Sequence, residues 1–314
     1  MGTDSILFPN LHITLAHVPQ GIQVGPLWIA LYGVCIAVAM LAGIWLAMFL
    51  AKKTGQDPDL YFNFAIIAVV LSVLGARLYY VLFSWDYYGA HPGEIFDLRG
   101  GGLAIYGGVI TGILCAVVFC RWKKLNLWLF LDTALPAVTL GQVIGRWGNF
   151  FNREVFGGYT NNLLAMALPV DVLPADEVTD LMRANPLMKD GVTFVQVHPT
   201  FLYESIWNLI LLAVMLVILL GRPKGQTGGK SGPTLERNLS GRKRFHGEIA
   251  CLYLLGYGLG RFWIEGIRTD RLMIPGTTLA VSQVLSAVMV IVGAVCLVAG
   301  IVRNRTNTDG ELDR

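Results

Sequence analysis

Seven stretches of this chain stay apolar for long enough to need something other than water around them. Residues 274–302 form 29 consecutive positions without a charge, and 27–51 form 25. Residues 60–76 and 103–120 add 17 and 18 uncharged positions, and 125–145 is interrupted only by Asp132. Residues 205–220 and 249–260 are shorter and gain length from their flanks. A helix needs about 20 such residues to cross roughly 30 Å of hydrocarbon. Lipid offers the backbone no hydrogen bonds, so a spanning segment satisfies its own groups as a helix. The expectation is an all-α fold, a polytopic membrane helix bundle with about seven transmembrane helices. The third and fourth stretches are rich in Gly and Pro (Gly107, Gly108, Gly112, Pro136, Gly141, Gly145). They are open to being broken or partly re-entrant, which is tolerated where the backbone lines protein or a watery cavity.

Composition narrows the function classes. Only 14% of residues are charged and 54% are apolar, with a mean hydropathy of +0.58. Soluble domains carry roughly 25% charge, so a soluble enzyme, a nucleic-acid binder and a disordered scaffold are all disfavoured. The net charge of +3 gives no basis for a nucleic-acid partner. Cys35, Cys115, Cys120, Cys251 and Cys296 lie inside apolar runs, without a CxxC or a Cys/His cluster of zinc spacing. They read as small buried hydrophobes, and neither a disulfide framework nor a metal site is expected. Residues 1–26 hold no Lys or Arg, so they do not read as a secretory signal.

Orientation follows the basic residues of the loops. Alternate connections hold Lys52 and Lys53, then Arg121, Lys123 and Lys124, then seven basic residues in 221–246, then Arg303, Arg305 and Arg314. This places the N-terminus outside and the C-terminus in the cytoplasm. The expected organisation is an extracytoplasmic N-terminal segment (1–26), a membrane domain (27–302) and a cytoplasmic tail (303–314). Within the membrane domain, 146–198 is expected to form a small extracytoplasmic head region. Residues 221–246, rich in Gly, Ser and basic side chains, read as a flexible cytoplasmic loop near anionic lipid heads.

Ionisable residues at membrane depth are costly, so each is a functional-site hypothesis. The densest cluster is Gly145-Arg146-Trp147-Gly148-Asn149-Phe150-Phe151-Asn152-Arg153-Glu154-Val155-Phe156-Gly157. Its glycines let backbone approach a ligand, its arginines offer a fork that suits phosphate, and its asparagines donate and accept. An interfacial loop with snorkelling arginines explains Arg153 but fits the whole set poorly. Tyr257, Arg261, Glu265 and Arg268 follow at spacings that place them on one helical stripe. Glu265 can pair with Arg261 or Arg268, which leaves one Arg over for an anion; a self-neutralised ladder is the plainer alternative. His198 and Glu204, in HPTFLYE, are open to acid/base roles, with His198 as a cap and Glu204 as an arginine-orienting group the alternatives. Tyr106, in GGLAIYGG, and Tyr32, in LYG, read either as aromatic-belt anchors or as phenols facing a cavity. Arg77 lies close enough to a helix end to snorkel. Two arginine-bearing clusters at the outer leaflet suit an anionic, lipid-borne ligand.

These residues resemble the prolipoprotein diacylglyceryl transferase family of bacterial inner membranes. The motifs LYG (31–33), GGLAIYGG (101–108), GRWGNFFNREVFG (145–157), HPTFLYE (198–204) and GYGLGRFWIEGIR (256–268) follow in the family's order, and the likeness spans about 25–302. The resemblance implies transfer of the diacylglyceryl group of phosphatidylglycerol to the lipobox cysteine thiol of a prolipoprotein. A thioether forms and glycerol phosphate leaves, without a cofactor. Membrane lipids are the further expected partners. Arg146 and Arg261 would bind the phosphate, with Asn149, Glu154 and Tyr106 joining them in catalysis. Asn152, Gly157, Tyr32, Tyr257, Glu265, Arg268, His198 and Glu204 would line the substrate chamber. Many members carry His where this chain has Tyr106. A phenol with a pKa near 10 is a poor base at neutral pH. Either Tyr106 only orients a group, or the base lies elsewhere, at His198, Glu154 or the substrate.

A transporter or flippase for an anionic lipid is the competing reading, since paired arginines at broken helices also serve that role. A membrane aspartyl or zinc hydrolase is weakened by the lack of an intramembrane Asp pair and of HExxH. A CDP-alcohol phosphotransferase would need a dense Asp motif, which the sequence lacks.

Overall fold

The computed structural model describes residues 2–97, 101–221 and 244–312. Nine α-helices lie among them: α1 (Leu31–Lys53), α2 (Pro58–Phe83), α3 (Trp85–Tyr88), α4 (Ile105–Trp122), α5 (Leu127–Asn152), α6 (Asp180–Ala184), α7 (Thr200–Leu220), α8 (Glu248–Ile267) and α9 (Val281–Leu312). Local chemistry sets several ends. Asp57 caps α2 by accepting from the Asp59 amide, and Pro58 starts the helix with its preset φ. The Asn126 side chain accepts from the Trp128 and Leu129 amides and opens α5.

Among the described residues, six helices are long and apolar enough to cross a membrane: α1, α2, α4, α5, α7 and the Val281–Asn304 part of α9. Their large apolar side chains stay widely exposed, as in Leu41, Leu78, Val118 and Ile291. That pattern suits lipid rather than water as the surrounding solvent. α8 spans 20 residues but carries Glu248, Arg261 and Glu265, and it is not among the six by composition. It packs between α7 and α9 and against α5.

Several expectations are corrected. The fold is mostly helical rather than all-α. Among the described residues are seven short strands: β1 (Ile6–Phe8), β2 (Ile13–Leu15), β3 (Gly21–Val24), β4 (Leu27–Ala30), β5 (Met166–Pro169), β6 (Leu187–Lys189) and β7 (Val192–Val197). The apolar run that begins at Leu27 starts as strand, because Leu27–Ala30 pairs with Gly21–Val24 before α1 opens. α5 does not stop at Gly145 but runs through Arg146 and Asn149 to Asn152, and it stays helical across Pro136. The glycines of α4 likewise sit in one continuous helix. Residues 222–243 of the expected 221–246 loop lie outside the described residues.

The five-stranded antiparallel sheet, in the order β2-β1-β5-β7-β6, draws strands from both the N-terminal segment and the 166–197 region. Ile6, Val18, Met166, Leu168, Met182, Val195 and Val197 form its core, closed below by Phe150 of α5 and Phe201 of α7. The sheet therefore sits on the end of the bundle where α5 finishes and α7 begins. A second core lies at the opposite end, where Tyr61, Phe119 and Phe130 pack with Leu50, Leu212 and Ile249.

Two buried polar groups join helices. Asp132 of α5 accepts from the backbone amides of Gly247 (2.8 Å) and Ala250 (3.0 Å), so a side chain from α5 caps the start of α8. Arg77 of α2, whose place near a helix end leaves snorkelling open, is buried. It donates to the carbonyls of Glu94, Ile95, Gly101 and Gly102, which fixes the chain leading into α4.

Candidate active site

Three of the sequence clusters converge on Glu204. This residue lies in the first turns of α7, 4% exposed. One carboxylate oxygen pairs with Arg146 Nε of α5, and the other accepts from Arg261 Nη1 of α8 at 2.5 Å. The side chains of Arg146 and Arg261 are 23% and 16% exposed, so the cations reach the surface of the site while the anion stays behind them. Arg261 Nη2 also pairs with Glu265 Oε2 at 2.7 Å, one turn along α8.

The helical stripe is shorter than its spacing suggests. Arg268 follows the end of α8 in extended conformation. It still reaches Glu265 at 3.4 Å, and it makes a fork with Asp270 at 2.9 and 2.6 Å. The arginine expected to be left over is thus paired with an acid that the sequence reading did not include. Tyr257 stacks on Tyr253, with ring centroids 5.4 Å apart, and Tyr253 Oη accepts from Gln142 Nε2 at 2.9 Å. Gln142 and Tyr253 were not read from sequence. A Gln in an apolar helix is the only signal that pointed to them.

A second network extends from Arg146. Its Nη1 donates to Asn149 Oδ1 at 3.4 Å; Asn149 Nδ2 donates to Glu154 Oε1 at 2.8 Å, and Asn152 Nδ2 to Glu154 Oε2 at 3.3 Å. The helix makes this possible, because positions 146, 149 and 152 recur about every turn on one face. Glu154 is exposed. Arg153 and Val155 on either side of it have φ of 57° and 59°. Left-handed backbone costs a β-branched residue roughly 1–3 kcal/mol and gathers at functional sites.

Gly157 admits no side chain. A Cβ there would lie 2.8 Å from His198 Cβ and 2.8 Å from the Ile267 carbonyl. Its amide donates to the His198 carbonyl at 3.0 Å, and Gly158 donates to Ile267 at 2.8 Å, which stitches the signature loop to the ends of β7 and α8. His198 is half-buried, with Nδ1 3.2 Å from Tyr203 Oη, and burial holds the ring below the ordinary histidine pKa. Tyr203 Oη accepts from Asn162 Nδ2 at 3.0 Å.

A cavity of about 450 Å³ opens beside this network. Tyr32, Arg146, Asn149 and Gln142 give it polar groups, while Ile36, Met40, Ala47, Phe64 and Val69 line the apolar remainder. Tyr32 packs its ring on Gly148, where a Cβ would meet it at 2.7 Å. Tyr106 stands in the first turn of α4 beside Ile105, which lines the cavity. Its hydroxyl takes no part in the hydrogen bonds that join Arg146, Glu204, Arg261 and Glu154.

Comparison with known proteins places the chain in a family. The model of the family described as prolipoprotein diacylglyceryl transferase matches residues 19–299. The chain belongs to this family. A phosphatidylglycerol–prolipoprotein diacylglyceryl transferase of Nostoc sp. is 38% identical over 292 residues, covering 93% of this chain and 92% of the relative. Enzymes of the same name from Streptococcus agalactiae and Streptococcus pneumoniae are each 40% identical over 280 residues. These cover 89% of this chain, and 95% and 93% of the relatives. Family membership and the apolar helices together make this a multi-pass membrane transferase.

Proposed function

We propose that the chain moves the diacylglyceryl group of phosphatidylglycerol to the lipobox cysteine thiol of a prolipoprotein. A thioether forms and glycerol phosphate is released. The observation that carries this reading is Glu204 holding both Arg146 and Arg261, with Arg146 also lining the largely apolar cavity. Each guanidinium has five N–H donors, and the pairs described use only some of them. The remainder suit the oxygens of a phosphodiester, and the cavity suits acyl chains.

In the reaction the thiolate sulfur attacks the glyceryl carbon. The carbon–oxygen bond to phosphate breaks, and its electron pair stays on the phosphate oxygen. Charge grows on the leaving group, where Arg146 and Arg261 are already fixed to meet it. The thiol proton goes to Glu154, whose carboxylate is held by Asn149 and Asn152 and has no arginine partner among the described residues. Tyr32, Asn152, Gly157, Tyr257, Glu265, Arg268 and His198 shape the chamber, and Tyr106 stands beside it without taking the proton.

The site lies at the sheet-covered end of the bundle. Lys52, Lys53, Arg121, Lys123 and Lys124 mark the other end, which sets it in the cytoplasm. The sheet layer then forms an extracytoplasmic head, with the N-terminus outside and the C-terminus inside. α8 crosses as a seventh span, its charges paired within the bundle, in the cytoplasmic (inner) membrane of a bacterium.

The test is a reconstituted assay with purified protein, phosphatidylglycerol and a lipobox peptide. A diacylglyceryl mass gain on the peptide with stoichiometric glycerol phosphate, both lost when the peptide cysteine is changed to Ser, is expected. Lipid binding without either product, in folded protein, would favour a transporter.

A further inference from the structure

Arg153 is the first residue beyond α5, and the reaction above leaves it unused. It is 5% exposed, unlike the snorkelling side chain its sequence position suggests. Its Nη2 donates to the carbonyls of Asp4 at 2.6 Å and Val18 at 2.5 Å, and Nη1 reaches the Phe151 carbonyl at 3.3 Å.

Those two distant acceptors have a common origin. Val18 N donates to the Asp4 carbonyl at 3.0 Å, Ser5 Oγ donates to Ala16, and His17 pairs with Asp4. Residues 4–18 therefore form a closed loop, and the guanidinium sits where its two ends meet. The same loop supplies β1 and β2 to the sheet.

The backbone of Arg153 does a second job. Its left-handed conformation ends α5, with Arg153 N on the Phe150 carbonyl and Glu154 N on the Asn149 carbonyl. This turn brings Glu154 back onto Asn149 and Asn152. On the far side, the Val155 carbonyl accepts from Thr200 Oγ1 of α7. Glu154 is thus suspended between two left-handed residues, one tied to the N-terminal loop and the other to α7.

We infer that Arg153 is a positioning residue, which uses the closed N-terminal loop as an anchor to hold Glu154 against Asn149. The inference rests on Glu154 being the proton acceptor. It makes residues 4–18, outside every membrane helix, part of what sets the turnover rate.

Arg153→Gly is the informative variant, because glycine accepts the left-handed backbone and removes only the anchor. In the reconstituted assay kcat is expected to fall about tenfold or more, since small misplacements of a reacting group are costly. KM for phosphatidylglycerol should stay within about twofold, because Arg146 and Arg261 keep their partners. Arg153→Lys, which keeps the charge and reaches one carbonyl at a time, should fall between wild type and Arg153→Gly. The deciding measurement is the double variant with Glu154→Gln. If Arg153 acts through Glu154, Arg153→Gly adds little further loss to Glu154→Gln. Wild-type kcat in folded Arg153→Gly, full activity in Glu154→Gln, or independent multiplying losses would each overturn the inference. Absence of product from the wild-type protein would instead refute the transferase reading.

Discussion

Glu204 Oε1 lies 2.5 Å from Arg261 Nη1, and the same carboxylate pairs through its other oxygen with Arg146. One buried acid from α7 thus sets the separation of two cations carried by α5 and α8. Removing it should scatter the phosphate site rather than merely weaken it. Glu204→Gln is expected to lower kcat/KM at least a hundredfold, the scale for lost orientation in a preorganised site. Retention of rate within tenfold would show that the arginines hold their places without it.

Gly157→Ala places a methyl against the His198 Cβ and the Ile267 carbonyl, both on backbone that cannot swing away. Overpacking of this kind costs about 1–3 kcal/mol. A lower thermal midpoint and loss of transfer are expected together. Wild-type values of both would mean that the loop at 156–158 shifts freely.

Asp132→Ala leaves the Gly247 and Ala250 amides at the start of α8 without their acceptor. The loss should resemble that of a helix cap, about 0.5–2 kcal/mol. The thermal midpoint should fall, while the rate per folded molecule stays near wild type, because this cap lies at the other end of α8 from Arg261. A rate loss in folded protein would couple the two ends.

Tyr106→Phe should retain transfer within about twofold, since the phenol makes no hydrogen bond to the arginine network. A large loss with an altered pH profile would place its hydroxyl in the chemistry.

His198 provides a pH dependence. Burial lowers its pKa below the ordinary 6.5, so the folded protein binds this proton less readily than the unfolded chain. Its contribution to stability is intact above about pH 6.5 and is lost as pH falls through the folded value. Thermal midpoints from pH 7.5 to 5 should therefore decline more steeply in wild type than in His198→Gln. The reverse slope would show that protonated His198 gains an acidic partner in the fold.

Apolar run length was enough to reveal the spanning helices, because lipid demands helix from any such stretch. Three of the expected spans, 60–76, 205–220 and 249–260, lie wholly within observed helices, and 103–120 and 125–145 begin two residues before theirs. The runs that begin at Leu27 and Ile274 start four and seven residues before α1 and α9, the first because strand pairing precedes the helix. α8 was legible as an apolar segment with a charged stripe, and the Arg261–Glu265 pair follows from helical spacing alone. The sheet was not legible. Its strands are three to six residues long, its two parts meet where Leu7 pairs with Ala167, 160 residues later, and no local pattern reveals such pairing.

Residue chemistry along the chain decided that this is a membrane bundle with arginines, asparagines and acids gathered at its helix ends. It decided the local pairs as well, since neighbours three or four positions apart on a helix must meet. Tertiary packing alone decided which acid serves which arginine. Glu204 joins Arg146 and Arg261 across three helices, Asp270 takes Arg268, Asp132 caps α8, and Arg153 clasps a loop 135 residues away. A buried charge takes whichever partner the packed backbones bring within reach, and sequence distance does not enter that choice.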